Sequence, residues 1–422
     1  MIVPPADAGS PVTASARKWN LEAPQGHGFI NLLASLEQGL GSSEAMNPES
    51  PLAALPPEVV AGYSHVLVWL IDGFALDYLA YTPALRADLA LHLEAVFPST
   101  TASAITSLFT GMSPAQHGLL GWRTYLPQPD RTLTVLPARE TDHAGNSAAL
   151  SAQSLNARIH PSPLVNRLRR KSTFVSPKQI AHSPYNRLMS GAARIIGYDE
   201  LEQLPALLGT HVRATGRAPH YTYLYWSHLD HLGHECGPDS PEVREHLAAI
   251  DATYSRLCDE LAGTDSLLLT TTDHGMRAVS QRLDLRDAPA VCACLRHPLT
   301  GEPRAALAHV LPGRHRQFRR AMEEHFGNRV EVIAMEDWLY GNAFGSGVPH
   351  PELQARAGDY LLFPDEDSYL VDPAGDDTGP CFLGAHGGVT RAEREIPLFR
   401  RSFSRPAAPA RTEMRHCGTH SG

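Results

Sequence analysis

The sequence predicts an α/β fold on a mostly parallel sheet, and three observations carry that prediction. Three short apolar runs, HVLVWLI at 65–71, YTYLYW at 221–226 and SLLLTTT at 266–272, read as strands buried on both faces. Helical patterns lie between them, as at 241–261, and strands alternating with helices imply crossover connections and parallel pairing. Each run also leads into an acidic residue: Asp72, Asp230 and Asp273. In a parallel sheet the carboxyl ends of the strands form the edge where ligands bind, so the three carboxylates are expected to share one crevice.

In chain order, residues 1–60 are rich in Pro, Ala, Ser and Gly and read as an N-terminal arm, with an apolar stretch at 29–40 suited to a helix against the main body. The core is expected over 61–276 and 373–405, with an insertion inside 126–219. Residues 277–372 read as a small α+β cap, with strand candidates at 290–295, 304–310 and 329–334 and a helix candidate at 314–325. A basic run, Arg167 to Lys171, is expected to be a solvated helix face, with contact to an anionic substrate as its functional reading. The tail, 406–422, is polar and expected to be mobile, which discounts the ligand-like string RHCGTH at 415–420.

Composition narrows the function. With 43% hydrophobic and 19% charged residues over 422 positions, the chain is built to bury a core. A formal charge of −9 argues against binding a nucleic-acid polymer or an anionic membrane, and leaves room for a local cationic site made by metal ions. The best apolar run, 65–80, is interrupted by Asp72 and Asp77, so no membrane span is expected. The N-terminus has prolines where a signal peptide needs an apolar run, and six cysteines are scattered along a large chain. Both features point to a cytoplasmic protein.

Like charges share a crevice only with a cation. Histidines accompany the three carboxylates: His234 lies four residues after Asp230, one helical turn on the same face; His274 follows Asp273 directly; His386 stands in GAHGG, where glycines allow close backbone approach. Asp72, Asp230, His234, Asp273, His274 and His386 form a mixed nitrogen and oxygen set suited to two Zn²⁺ ions, with Mn²⁺ or Fe as other occupants. His228 and His231 are expected outside the ligand set. The nucleophile is sought in FPSTTASAITSLFTG at 97–111, where Thr100 or Thr101 precedes a helix-like run whose N-terminus favours anions.

The ordered motifs IDG (71–73), FPSTT (97–101), TGMSPAQHG (110–118), DHLGHECGP (230–238), TDHGM (272–276) and GAHGG (384–388) resemble the alkaline phosphatase superfamily. More closely, they resemble its nucleotide pyrophosphatase/phosphodiesterase, or type I phosphodiesterase, branch. The resemblance spans about residues 64–390 and implies an alkaline phosphatase-like three-layer sandwich, with helices on both sides of a central sheet and a cap insertion. It implies Thr101 as nucleophile, the second Thr of the family's F-P-T-x-T, itself a zinc ligand, with Asp72, Asp273 and His274 on the zinc beside it. Asp230, His234 and His386 would hold the other zinc. It further implies an Asn three residues after the nucleophile in nucleotide-cleaving members, where this chain has Ala104; Arg123 and Tyr125 in GWRTY are the candidate replacement donors for substrate binding.

The implied activity is hydrolysis of phosphodiester or pyrophosphate bonds, with nucleotide-type substrates favoured, through a covalent phosphoryl-threonine. Phosphomonoesters or phosphonates of the phosphonoacetate type are the alternative on the same site, and a non-catalytic ligand-binding homologue is the second. The expected partner is a small phosphorylated substrate. A sulfatase would need Cys or Ser in its own nucleophile motif, which FPSTTAS lacks.

Overall fold

The computed structural model describes residues 26–372 and 381–404; the first part of the arm, the tail and its RHCGTH string lie outside the described residues. Seven strands form the central sheet: β1 (His65–Ile71), β2 (Leu89–Glu94), β3 (Lys171–Pro177), β4 (Arg194–Tyr198), β5 (His220–Trp226), β6 (Ser266–Thr271) and β7 (Glu395–Phe403). Their order is β2-β7-β6-β1-β5-β3-β4. β1 pairs in parallel with β5 and β6, and β5 with β3. β7 runs antiparallel between β6 and β2.

Every residue of β1, β5 and β6 is buried, as their continuous apolar runs require. The pleat divides β1 between two cores. Val66, Val68 and Leu70 pack against α1 (Phe29–Gly39) and α2 (Thr101–Thr110). Leu67, Trp69 and Ile71 pack against α3 (Leu204–Thr215) and α5 (Pro241–Leu261). Between β5 and α5 lies α4 (His228–Cys236). This is the helix, sheet, helix sandwich of the sequence-based expectation.

A second, eight-stranded sheet joins two regions that are separate in sequence. Its order runs 330–334, 360–364, 305–308, 300–302, 123–126, 131–134, 139–141, 147–149, so the cap and the first insertion share one sheet through the pairing of Gly301 with Arg123. The 126–219 section also supplies β3 and β4 to the central sheet. The cap helix forms at His315–Phe326. Residues 290–295 are not a strand: Pro289 opens a helical turn, Pro289–Cys292, because its fixed φ and missing N–H suit the first helical position. The basic run is structural as well. Arg167 is buried, pairs with Glu37 Oε1 at 2.8 Å and donates to the Thr110 carbonyl, which ties the arm helix to the end of α2.

Candidate active site

Two strand ends, one helix and one loop place the six candidate ligands at one edge of the central sheet. Asp72 leaves β1 with its N–H bonded to the Trp226 carbonyl of β5 at 2.9 Å. Gly73 then turns at φ 69°, and a Cβ there would stand 3.0 Å from Asp230, so only glycine lets the two carboxylate segments approach. Asp230 and His234 lie one turn apart on α4, while Asp273 and His274 follow β6. His386 arrives on the loop after Gly384–Ala385, which pairs with Arg277–Ala278.

Two ligand groups emerge, meeting at His274. Asp72, Asp273 and His274 converge in one, and Asp230, His274 and His386 in the other. His274 Nε2 lies 3.3 Å from Asp72 Oδ1 and 3.5 Å from Asp273 Oδ2. Asp230 lies 3.4 Å from His234 Nε2 through one oxygen and 3.7 Å from His386 Nε2 through the other. Thr101, the first residue of α2, places Oγ1 3.0 Å from His274 Nε2 and donates to Asp72 Oδ1 at 3.3 Å. Thr100 caps the same helix from outside it and reaches elsewhere.

Donor chemistry tests whether cations fit. Each histidine holds Nδ1 against a backbone carbonyl: His234 on Gly384 at 2.8 Å, His274 on Gly275 at 2.8 Å and His386 on Ser99 at 3.1 Å. That fixes the tautomer whose Nε2 lone pair points into the cluster, as ligating histidines are held. Buried Oδ1 of Asp230 and Oδ2 of Asp273 have no hydrogen-bond partner, a costly state for a carboxylate without a cation. Asp273 Oδ1, in contrast, accepts from the Thr272 hydroxyl at 3.1 Å and the His274 N–H at 3.1 Å. The residues fit metal ions.

The charges agree. Burial and the neighbouring Asp72 carboxylate push Asp273 up to about 7. Burial works against a charged His274, but Asp273 and Asp72 outweigh it and raise the imidazole to about 10. Burial, with His274 and His234 nearby, holds His386 well below the usual imidazole range, so it stays neutral. Without cations the cluster keeps protons as substitutes for positive charge.

A sequence model of the type I phosphodiesterase/nucleotide pyrophosphatase family matches residues 66–389, more than half of the chain. The chain belongs to this family. Human ectonucleotide pyrophosphatase/phosphodiesterase family member 5 is 30% identical over 212 residues, 44% of this chain and 38% of that protein. Human family member 7 is 43% identical over 63 residues, 14% of each. The matches to these curated relatives therefore span well under half of their length. Among solved structures, murine ectonucleotide pyrophosphatase/phosphodiesterase 5 is similar in fold, with TM-score 0.58 at 20% identity over 81% of this chain and 90% of that one. Phosphonoacetate hydrolase from Sinorhizobium meliloti 1021, solved with phosphonoformate, has TM-score 0.55 at 18% identity over 83% and 92%.

Two candidate substrate-binding residues of this type I phosphodiesterase family chain do not reach the cluster. Tyr125 is buried under His297, stacked at 4.2 Å, and donates to Asp130 Oδ1 at 2.5 Å. Arg123 lines a separate crevice with Thr132 and His297. Both belong to Arg123–Leu126, whose pairing in the second sheet carries them away from the site. Trp122, one residue earlier, is 39% exposed and lines the cavity at Thr101 instead. Ala104 is packed in the α2 core at 0% exposure and is not among the residues that line the cavity, although Thr101 and Ile105 on the same helix are. His228 and His231 line the cavity beside the ligands.

Three residues escaped the sequence reading. Tyr225 donates its hydroxyl to Asp72 Oδ2, leaving Oδ1 toward Thr101. Thr272 donates to Asp273, and Glu302 of the second sheet accepts from Thr100. Replacing Tyr225 with Phe is expected to weaken metal retention ~10–100-fold, the usual cost of losing a ligand's outer hydrogen bond. Competition against a chelator of known affinity measures it, and unchanged retention would mean that Asp72 needs no such donor.

Proposed function

We propose that this chain is a two-metal hydrolase of phosphodiester or pyrophosphate bonds, with nucleotide-type substrates favoured and Thr101 as nucleophile. The observation that carries the reading is the Thr101 hydroxyl at the N-terminus of α2, 3.0 Å from His274 Nε2 and 3.3 Å from Asp72, beside two unpartnered carboxylate oxygens. Asp72, Asp273 and His274 would hold one divalent cation; Asp230 and His386, which also converge on His274, would hold the other together with His234, 3.4 Å from Asp230, zinc being the occupant that this nitrogen and oxygen set suits. When bound, the cations would screen the phosphoryl charge and acidify the attacking hydroxyl.

Thr101 Oγ1 would attack phosphorus as its proton passes to water; the new P–O bond forms as the bond to the leaving oxygen breaks in line, the leaving group departs as an alcohol or phosphate protonated from water, and the resulting phosphoryl-threonine keeps the remaining ester arm on phosphorus. A phosphoryl group at Thr101 would sit at the N-terminus of α2, a favourable end of a helix for an anion. Attack by water then releases the phosphoryl product and restores Thr101, and two inversions give net retention at phosphorus. A cavity of about 970 Å³ opens on Thr101 and Asp72, with Trp122, Pro177, Ile180 and Trp226 among its walls, room for a sizeable organic ester arm. The likeness to murine ectonucleotide pyrophosphatase/phosphodiesterase 5, solved also as an inactive variant with AMP, supports the nucleotide preference. The phosphonoacetate hydrolase likeness keeps phosphonates as the second reading.

A purified, metal-loaded protein assayed side by side on bis-p-nitrophenyl phosphate, p-nitrophenyl phosphate, p-nitrophenyl thymidine monophosphate and phosphonoacetate ranks these classes. The expected order puts the nucleotide diester first. Preference for the monoester or the phosphonate would overturn the substrate assignment, and metal binding with silence on all four would favour a ligand-binding homologue. A cytoplasmic location is part of the same proposal and rests on the sequence alone, on its scattered cysteines and proline-rich N-terminus.

A further inference from the structure

The second sheet touches the nucleophile segment through one buried carboxylate. Glu302 ends the strand Thr300–Glu302, is only 5% exposed, and aims Oε1 at two donors. The Thr100 hydroxyl reaches that oxygen at 2.5 Å and the Trp122 backbone N–H reaches it at 2.5 Å. One oxygen thus binds the residue next to the nucleophile and the residue that walls the substrate cavity. Gly387 packs over the same side chain: at φ 107° it has no Cβ, and one placed there would lie 2.6 Å from Glu302 Cβ. The loop that carries His386 therefore closes on Glu302 from the other side. His386 in turn holds the Ser99 carbonyl at 3.1 Å, and Ser99 Oγ donates to the Gly388 carbonyl at 2.8 Å. Segments 99–101, 121–122 and 386–388 meet around this one carboxylate.

We propose that Glu302 is a positioning residue that fixes the Thr101 hydroxyl and the Trp122 wall relative to each other. The inference rests on Thr101 being the nucleophile, as argued above. It acts through geometry. Thr101 has a single attack line between its ligand neighbours, and a displacement of about 1 Å in such an arrangement costs roughly 10²-fold in rate. An acceptor oxygen, with or without charge, is what the two donors need, so glutamine is expected to replace glutamate and alanine is not.

The test uses the metal-loaded full chain with two diesters sharing a p-nitrophenyl leaving group, one with a methyl arm and one with a phenyl arm. Glu302→Ala is expected to lower kcat about 100-fold on both and to raise KM several-fold for the phenyl ester alone, because Trp122 is released. Glu302→Gln is expected to stay within about threefold of the parent. Thr100→Val removes only one donor, and is expected to reproduce the kcat loss without the KM change. Metal content should be unchanged in all three. Full activity in Glu302→Ala, or equal loss in Glu302→Ala and Glu302→Gln, would overturn the proposal. Should the parent and Thr101→Ala prove equally active, or the parent inert, the nucleophile reading fails instead, and amide hydrogen exchange decides the positioning. Faster exchange at Trp122 and 99–102 in Glu302→Ala, reversed in Glu302→Gln, would sustain it; identical exchange in all forms would end it.

Discussion

Thr101→Ala is expected to lower turnover by at least about 10³-fold while leaving metal content and melting temperature near those of the parent. Only the hydroxyl and one methyl group are removed, and neither belongs to the charged side chains proposed to hold cations, Asp72, Asp273 and His274 for one and Asp230, His234 and His386 for the other. Alanine is also compatible with the first position of α2, a helix whose ten residues are all buried. Elemental analysis beside steady-state kinetics separates the two effects. A variant that retained most of its activity would remove Thr101 from the chemistry and turn attention to direct attack by water. Trapping is the complementary readout, since the parent, quenched during turnover of a diester, should carry the phosphoryl group with its retained ester arm on the peptide containing Thr101.

Stripping the cations is expected to cost the second large effect: loss of activity together with a fall in melting temperature on the order of 10 °C at pH 8. The size of the fall should depend on pH, and its sign follows from the cluster. In the metal-free protein Asp273 keeps a proton up to about 7 and His274 up to about 10. Both values lie above those of the unfolded chain, so the stability these protons contribute is present at low pH and is lost as pH rises through the folded values. Cations need both groups bare. Below about pH 7 binding displaces two protons, between there and about 10 it displaces one, and His386, already neutral, adds no competition. The stabilisation by added zinc should therefore grow from pH 6 to pH 9, as thermal unfolding with and without the metal would measure. A gain that shrank with rising pH would mean that the protons are held elsewhere.

Much of this centre was legible in the chain because of one rule of parallel sheets. Buried strands are conspicuous as apolar runs, their carboxyl ends face one edge, and an acidic residue after each run therefore marks the same place. Asp72 and Asp273 follow directly from it, and Asp230 follows one turn into α4. The supporting residues lacked any such mark. Tyr225 sits inside YTYLYW, where a buried aromatic is expected whatever its hydroxyl does. Glu302 reaches Thr100 across 202 positions, and nothing local signals a contact between a distant strand and the start of α2. Arg123 and Tyr125 drew attention by lying near the motif in sequence, yet a strand turns successive side chains to opposite faces, and the edge it joins decides where they go.

Position along the chain also conceals the clamp on His386. Arg304 of the second sheet forms a buried pair with Glu393 at 2.7 Å, and Glu393 accepts the Gly388 N–H at 2.9 Å and the Thr390 hydroxyl at 2.6 Å. Arg304 also donates to three carbonyls, of Asp365, Glu366 and Ser368. Each of its three guanidinium nitrogens thus has an acceptor, and the loop that carries His386 is fastened to the cap by a buried, hydrogen-bonded ion pair.

The place of β7 between β6 and β2 bears on how the protein comes into being at the ribosome. Residues 395–403 form an interior strand, not an edge, so β2, made some three hundred residues earlier, has no neighbour in the sheet until they emerge. His386 is delivered by the same late stretch. A nascent chain stopped before residue 386 would present an open sheet and lack one of the six candidate ligands, so the proposed metal site could be completed only late in synthesis.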